Sequence, residues 1–218
     1  MKIAPSILSA DFLHLEKDIL MLNEHADFIH LDVMDGTFVP NISFGFPVVD
    51  KVAGIATTPM DAHLMVVHPE RWFEHFAGDG VQMLSFHLEA AGRSTRKYLR
   101  QVKALGMKAG LAIDPDVPVE KLFPYIGEAD FFLIMSVFAG FGGQKFIYEA
   151  LDRIAALKAE ISRRIPDPAK RPLIEVDGGV GASNAAALRE AGADIAVAGS
   201  AVFRSDDPAA TIAALREA

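Results

Sequence analysis

Phe28-Ile29-His30-Leu31-Asp32-Val33-Met34-Asp35-Gly36 begins as an apolar run with the composition of a buried strand and closes on a glycine-containing turn. Side chains alternate along a strand, so His30, Asp32 and Met34 share one face while Ile29, Leu31 and Val33 take the other. An isolated His-x-Asp more often holds a loop than performs chemistry. Here the pattern recurs. Asp61-Ala62-His63-Leu64-Met65 again alternates a carboxylate, a His and a Met at the end of a strand-like run.

Further runs of this kind fall at Lys2 to Ile7, Pro59 to Val66, Gln82 to Leu88, Lys108 to Ile113, Asp130 to Val137, Pro172 to Val176 and Asp194 to Ala198, which with Phe28 to Val33 makes eight. Dividing 218 residues by eight leaves about 27 per unit, close to one strand plus one helix of a barrel. Helical segments lie between the runs. Ser94 is placed to cap Thr95 to Leu105 before Gly106, and Ser183 to cap Asn184 to Ala191 before Gly192. Asp206 or Asp207 before Pro208 starts a last helix, and Phe146 to Ile165 carries a 3.6-residue apolar period ending before Pro166. Strands alternating with helices predict a parallel eight-stranded (β/α)8 TIM barrel spanning residues 1–218 as one domain, with an open doubly wound sheet as runner-up.

Composition narrows the function classes. Hydrophobic residues make up 51% of the chain and mean hydropathy is +0.24, enough for a large core. No apolar run approaches the roughly 18 residues of a membrane span. Asp11 arrives too soon for a signal peptide, so a cytoplasmic protein is expected. With no cysteine, disulfides, thiolate metal sites and a thiol nucleophile are excluded. A net charge of -8 disfavours nonspecific nucleic-acid binding.

In a barrel the site lies where strands end. Ser6 ends the first strand, His30 and Asp32 the second, His63 the third and Asp177 the seventh. Two His and two Asp suit Zn²⁺, Fe²⁺, Mn²⁺ or Co²⁺, and a second carboxylate allows an acid/base group on each side of a substrate. His87 and Glu89 form another His-x-Glu, and on chemistry alone they are as eligible as His63. Gly140-Phe141-Gly142-Gly143, Gly178-Gly179 and Gly199-Ser200 follow strands six, seven and eight, where barrels often hold phosphate on backbone N–H groups. Met34, Met65 and Met135 read either as core filler or as a lining that keeps water off a carbanion. Trp72, His14, His25, His68 and His75 read as packing or solvated surface.

These stretches resemble the ribulose-phosphate 3-epimerase family. The likeness rests on Ile3-Ala4-Pro5-Ser6-Ile7-Leu8, Ala10-Asp11, His30 to Gly36 with Phe38-Val39-Pro40-Asn41, Asp61 to Val66, Gly140 to Phe146, Val176 to Gly179 and Ala198-Gly199-Ser200. The resemblance implies one divalent metal, zinc first, on His30, Asp32, His63 and Asp177. It casts Asp32 and Asp177 as the two proton-transfer groups acting on ribulose 5-phosphate, and leaves His87 and Glu89 off the metal. It places Ser6, His30, Asp32, His63 and Asp177 at the substrate, the phosphate on Gly140, Phe141, Gly142, Gly143, Gly178, Gly179, Gly199 and Ser200, and Met34, Met65 and Met135 over the intermediate. It further implies a homo-oligomer, dimer or hexamer.

One departure stands out: the family usually carries an acidic or amide residue and then proline before the GFGG loop, where this chain has Phe138-Ala139. Losing that proline is expected to loosen the loop. A six-carbon ketose phosphate such as allulose 6-phosphate is the alternative substrate. An aldol lyase or decarboxylase would want an inward lysine at a strand end, for which Lys145 is the nearest residue. A sugar-phosphate binder without turnover would not need two carboxylates.

Overall fold

The computed structural model describes residues 1–218. Eight parallel strands follow one another: β1 (Lys2–Pro5), β2 (Ile29–Met34), β3 (Met60–Met65), β4 (Met83–His87), β5 (Lys108–Ile113), β6 (Phe131–Met135), β7 (Leu173–Asp177) and β8 (Ile195–Ala198). Each expected strand is present, with limits shifted by a residue or two. The ladder runs β1-β8-β7-β6-β5-β4-β3-β2. The remaining seam, between β1 and β2, is drawn together by a parallel bridge of Ser6 to His30 and by Asp27 and Phe28 N–H groups donating to the Ile3 carbonyl.

Around the barrel run α1 (Leu15–His25), α2 (Phe46–Ala53), α3 (Phe73–Gly78), α4 (Leu88–Ala91), α5 (Thr95–Ala104), α6 (Glu149–Arg164), α7 (Ala185–Ala191), α8 (Ser200–Phe203) and α9 (Pro208–Glu217). Between β5 and β6 the connection is a 3-10 segment, Val119–Tyr125, with Pro124 inside it; proline withholds the N–H that an α-helix interior needs. Three helix starts differ from the sequence expectation. Ser94 makes no capping bond, because α5 continues directly from a preceding 3-10 turn and Ser94 is already helical. Ser183 is likewise no cap: α7 starts after Asn184, whose side chain accepts from Gly181 N–H and donates to Gly179 O, tightening the loop after β7. Phe146 and Ile147 stay outside α6, since Ile147 N–H is drawn to the Ser136 carbonyl. Asp207 caps α9 through Ala210 N–H at 3.0 Å, as the sequence indicates.

Period-2 alternation sorts the strand side chains into two compartments. Ile29, Leu31, Leu64, Leu111, Ile134 and Val176 point outward into the main apolar layer beneath the helices. Inward residues at the N-terminal end form a separate plug of Ala4, Phe28, Met83, Phe131, Ile195 and Val197. The Phe131 ring lies against the backbone of Gly110, in space any larger residue would fill. Phe131→Ala is expected to cost about 3–5 kcal/mol in urea denaturation, the usual loss for a large buried aromatic. A loss below about 1 kcal/mol would mean that the plug collapses around the gap. Above this plug the inward residues turn polar.

Candidate active site

Register builds the polar layer. β2 and β3 pair His30 with Asp61, Asp32 with His63, and Met34 with Met65, so their alternating residues sit side by side on the inner face. Across the barrel, β7 brings Asp177 beside Met135 of β6. His30 Nε2 lies 3.3 Å from Asp32 Oδ1, His63 Nδ1 3.1 Å from the same oxygen, and His63 Nδ1 3.7 Å from Asp177 Oδ2. One ligand-type atom from each of the four residues falls within 4.8 Å of the others. Ser6 Oγ donates to Asp32 Oδ2, joining β1 to the cluster.

The residues present fit a metal ion. Four ligands about 2.1 Å from a tetrahedral ion stand about 3.4 Å apart, and the three separations bracket that value. His30 Nε2 is buried without a hydrogen-bond partner, although Nδ1 of the same ring holds Asp61 Oδ2 at 2.8 Å. A ligand nitrogen aimed at the centre, with its other nitrogen on a carboxylate, is the usual arrangement of a metal-binding imidazole. The two carboxylates differ electrostatically. Burial works to raise the Asp32 value, but His30 outweighs it and holds the carboxyl well below the ordinary range. Burial and the neighbouring Asp32 charge push Asp177 up to about 8. Burial lowers His63 to about 4, whereas for His30 the charges of Asp32 and Asp61 overcome burial and raise it.

Above the cluster opens a cavity lined by Ser6, Asp32, Asp177, the three methionines Met34, Met65 and Met135, and the loops carrying Gly140–Gly143, Gly178, Gly179, Gly199 and Ser200. His30 and His63 do not line it; both are fully buried beneath its floor. They touch the cluster rather than the substrate space. Gly178 and Gly179 take positive φ, +117° and +63°, and a Cβ on Gly179 would stand 2.6 Å from Phe146 N, so this turn requires glycine. Lys145 is exposed and does not line the cavity. His14, His25, His68 and His75 lie on the surface.

Several residues that shape the site carried no role in the sequence. Asp61 orients His30; alternation alone put it on the same face as His63, but the pairing needed the register. Ser136 Oγ donates to the carbonyls of Asp177 and Gly178 and so fixes the end of β7. The loop after β6 is braced by Gln144 Nε2, which donates to Phe138 O and Phe141 O, and by Asn41 Nδ2, which donates to Gly140 O. Its lead-in is not slack: Ala139 N–H donates to Asp114 Oδ1 at 3.1 Å, a bond that proline could not make. Phe138, half exposed, turns one edge into the cavity.

The profile of the ribulose-phosphate 3 epimerase family matches residues 2–203. The chain belongs to this family. It is 43% identical to ribulose-phosphate 3-epimerase of Mycobacterium tuberculosis over 215 residues, covering 98% of this chain and 91% of that one. It is 45% identical to the Synechocystis protein of the same name over 216 residues, covering 98% and 92%. A tryptophan synthase α-subunit mutant from Pyrococcus furiosus superposes with a TM-score of 0.73 at 16% identity, covering 100% of this chain and 98% of that one, and shares the barrel fold. No helix is long and apolar enough to cross a membrane.

Proposed function

We propose that the protein inverts C3 of ribulose 5-phosphate to give xylulose 5-phosphate. The observation that carries this reading is the pair of carboxylates, Asp32 on β2 and Asp177 on β7, which both line one cavity and belong to one cluster of two His and two Asp. Family membership supplies the substrate class. Inverting a carbon beside a ketone removes its proton from one face and returns a proton to the other, and a carboxylate on each side performs both transfers. In one direction Asp32 or Asp177 takes the C3 proton while its counterpart, already protonated, gives one to the opposite face; the reverse reaction exchanges their roles.

His30, Asp32, His63 and Asp177 would hold a divalent ion, which when bound would supply Lewis-acid stabilisation of the negative charge that develops on the ketose oxygens. Zinc heads the candidates, since a donor set of two nitrogens and two oxygens suits it. Ser6 holds Asp32 Oδ2 and so orients that carboxylate toward the cavity. Met34, Met65 and Met135 form an apolar, polarizable lining that excludes water from the enediolate. Backbone N–H groups of the glycine turns after β6, β7 and β8 hold the phosphate end. The absence of a lysine from the cavity disfavours a lyase that works through an imine. A cytoplasmic location and a homo-oligomer belong to the same proposal; exposed Phe12, Ile42 and Trp72 support assembly, which light scattering checks.

Proton NMR of the metal-supplied protein with ribulose 5-phosphate in D2O tests the reading. Xylulose 5-phosphate carrying deuterium at C3 is expected. Deuterium without inversion would leave one carboxylate idle. If neither appears, the pentulose assignment fails, and Phe138 at the cavity wall makes six-carbon ketose phosphates the next substrates to try.

A further inference from the structure

A metal-binding imidazole needs its second nitrogen held, because an unheld ring takes either tautomer. His30 is held directly by Asp61. His63 faces the other way, with Nδ1 toward Asp32 and Asp177, and its Nε2 meets no carboxylate. Instead Nε2 of His87, another fully buried imidazole, lies 2.9 Å away. The ring centroids are 5.0 Å apart with planes 25° from parallel. With the nitrogens so close, the rings meet edge to edge along a hydrogen bond rather than face to face.

Two neutral imidazoles can share this contact in only two ways. If His87 donates, His63 accepts on Nε2 and carries its own hydrogen on Nδ1, which blocks the nitrogen facing the carboxylates. If His63 donates, its Nδ1 keeps a free lone pair, and His87 accepts on Nε2 and carries its hydrogen on Nδ1. That Nδ1 is buried without a hydrogen-bond partner, and Glu89 Oε1 stands 3.7 Å from it. We infer that His87 is a positioning residue for His63, and that Glu89, at the start of α4, selects the His87 tautomer that leaves His63 Nδ1 free to bind metal. This rests on the metal-site reading above.

The same chain reaches the glycine loop. Glu89 Oε1 accepts Asp114 N–H at 2.9 Å, and Asp114 Oδ1 accepts Ala139 N–H. The Phe38 ring packs at a tilt against His87, centroids 4.8 Å apart. His87, Glu89 and Asp114 also have the composition of a second cation site. Under this assignment His87 Nδ1 carries a hydrogen and has no lone pair to offer a second ion.

Imidazole nitrogen shifts of the full chain labelled with ¹⁵N-histidine and titrated with Zn²⁺ test this directly. Protonated Nδ1 with bare Nε2 at His87, and protonated Nε2 at His63, are expected; the reverse tautomer at His87 overturns the relay. In chelator competition, which does not depend on turnover, His87→Leu is expected to weaken Zn²⁺ binding by about 10–100-fold. His87→Gln, whose amide oxygen can take the place of Nε2, is expected to recover most of it. Unchanged affinity in His87→Leu overturns the inference, and so does an equal loss in both variants, which would mark mere packing. Should His87→Leu not fold, the wild-type shifts still decide, and Glu89→Ala at its partly exposed position is expected to mix the His87 tautomers. A wild-type protein that takes up no Zn²⁺ would sink the metal-site reading itself; uptake with the wrong tautomer sinks the relay alone.

Discussion

Asp177→Asn is expected to keep the barrel folded and to lower epimerisation by about 10²–10⁴-fold or more, the contribution of a positioned acid/base group. Asn matches the shape of the protonated carboxyl, the form that burial and Asp32 favour in the ion-free protein. The end of β7 does not depend on that side chain, because Ser136 grips the carbonyls of Asp177 and Gly178. The loss therefore falls on proton transfer and not on folding. Turnover measured beside melting temperature and bound zinc separates the two, since Asn retains an oxygen for the ion. Normal turnover in this variant would remove Asp177 from the mechanism.

Withdrawing the divalent ion by chelation is expected to abolish turnover and to lower the melting temperature, both reversed when the ion is restored. An ion present at 1,000 times its dissociation constant stabilises the folded state by about 4 kcal/mol, which for a chain of this size corresponds to roughly 10 °C. The effect grows with pH. In the ion-free protein Asp177 titrates at about 8 against an ordinary 3.8. Its contribution to stability is therefore full below about pH 4 and is lost as pH rises toward 8. Ion binding displaces that proton, so the gap between loaded and stripped melting temperatures is expected to widen across the same interval. Full activity in protein shown by elemental analysis to hold no metal would end the metal reading.

How much of this was legible in the sequence differs by level. The strands were readable because buried parallel strands are short apolar runs between turn residues, and Lys108 to Ile113 falls where expected. Helix starts were less so. Ser94 and Ser183 have the right chemistry for caps, but a preceding 3-10 turn and the loop bonds of Asn184 decide those ends, and neither is written in local propensity. His30, Asp32 and His63 could be found because period 2 puts them on one face. Asp61 gained its role only from the β2–β3 register, and His87 only from a 2.9 Å contact between strands. The lead-in of the glycine loop corrected an expectation: the missing proline frees an N–H, which Asp114 uses.

The seam between β1 and β2 holds a final consequence. Every other pair of neighbouring strands shares a ladder of at least three residue pairs, but this one has a single bridge, at Ser6 and His30. Ser6 Oγ on Asp32 adds a second link at the same height. Where the barrel is least laced by backbone, it is held by members of the His/Asp cluster, His30 and Asp32, together with Ser6 of the cavity wall. Transient openings of the wall are therefore expected to concentrate here, with the Asp27 and Phe28 amides, which donate to the Ile3 carbonyl, exchanging their hydrogens ahead of those in β5 or β6. Occupation of the cavity is expected to slow that exchange, so deuterium uptake along this seam would report binding even in variants that no longer turn over.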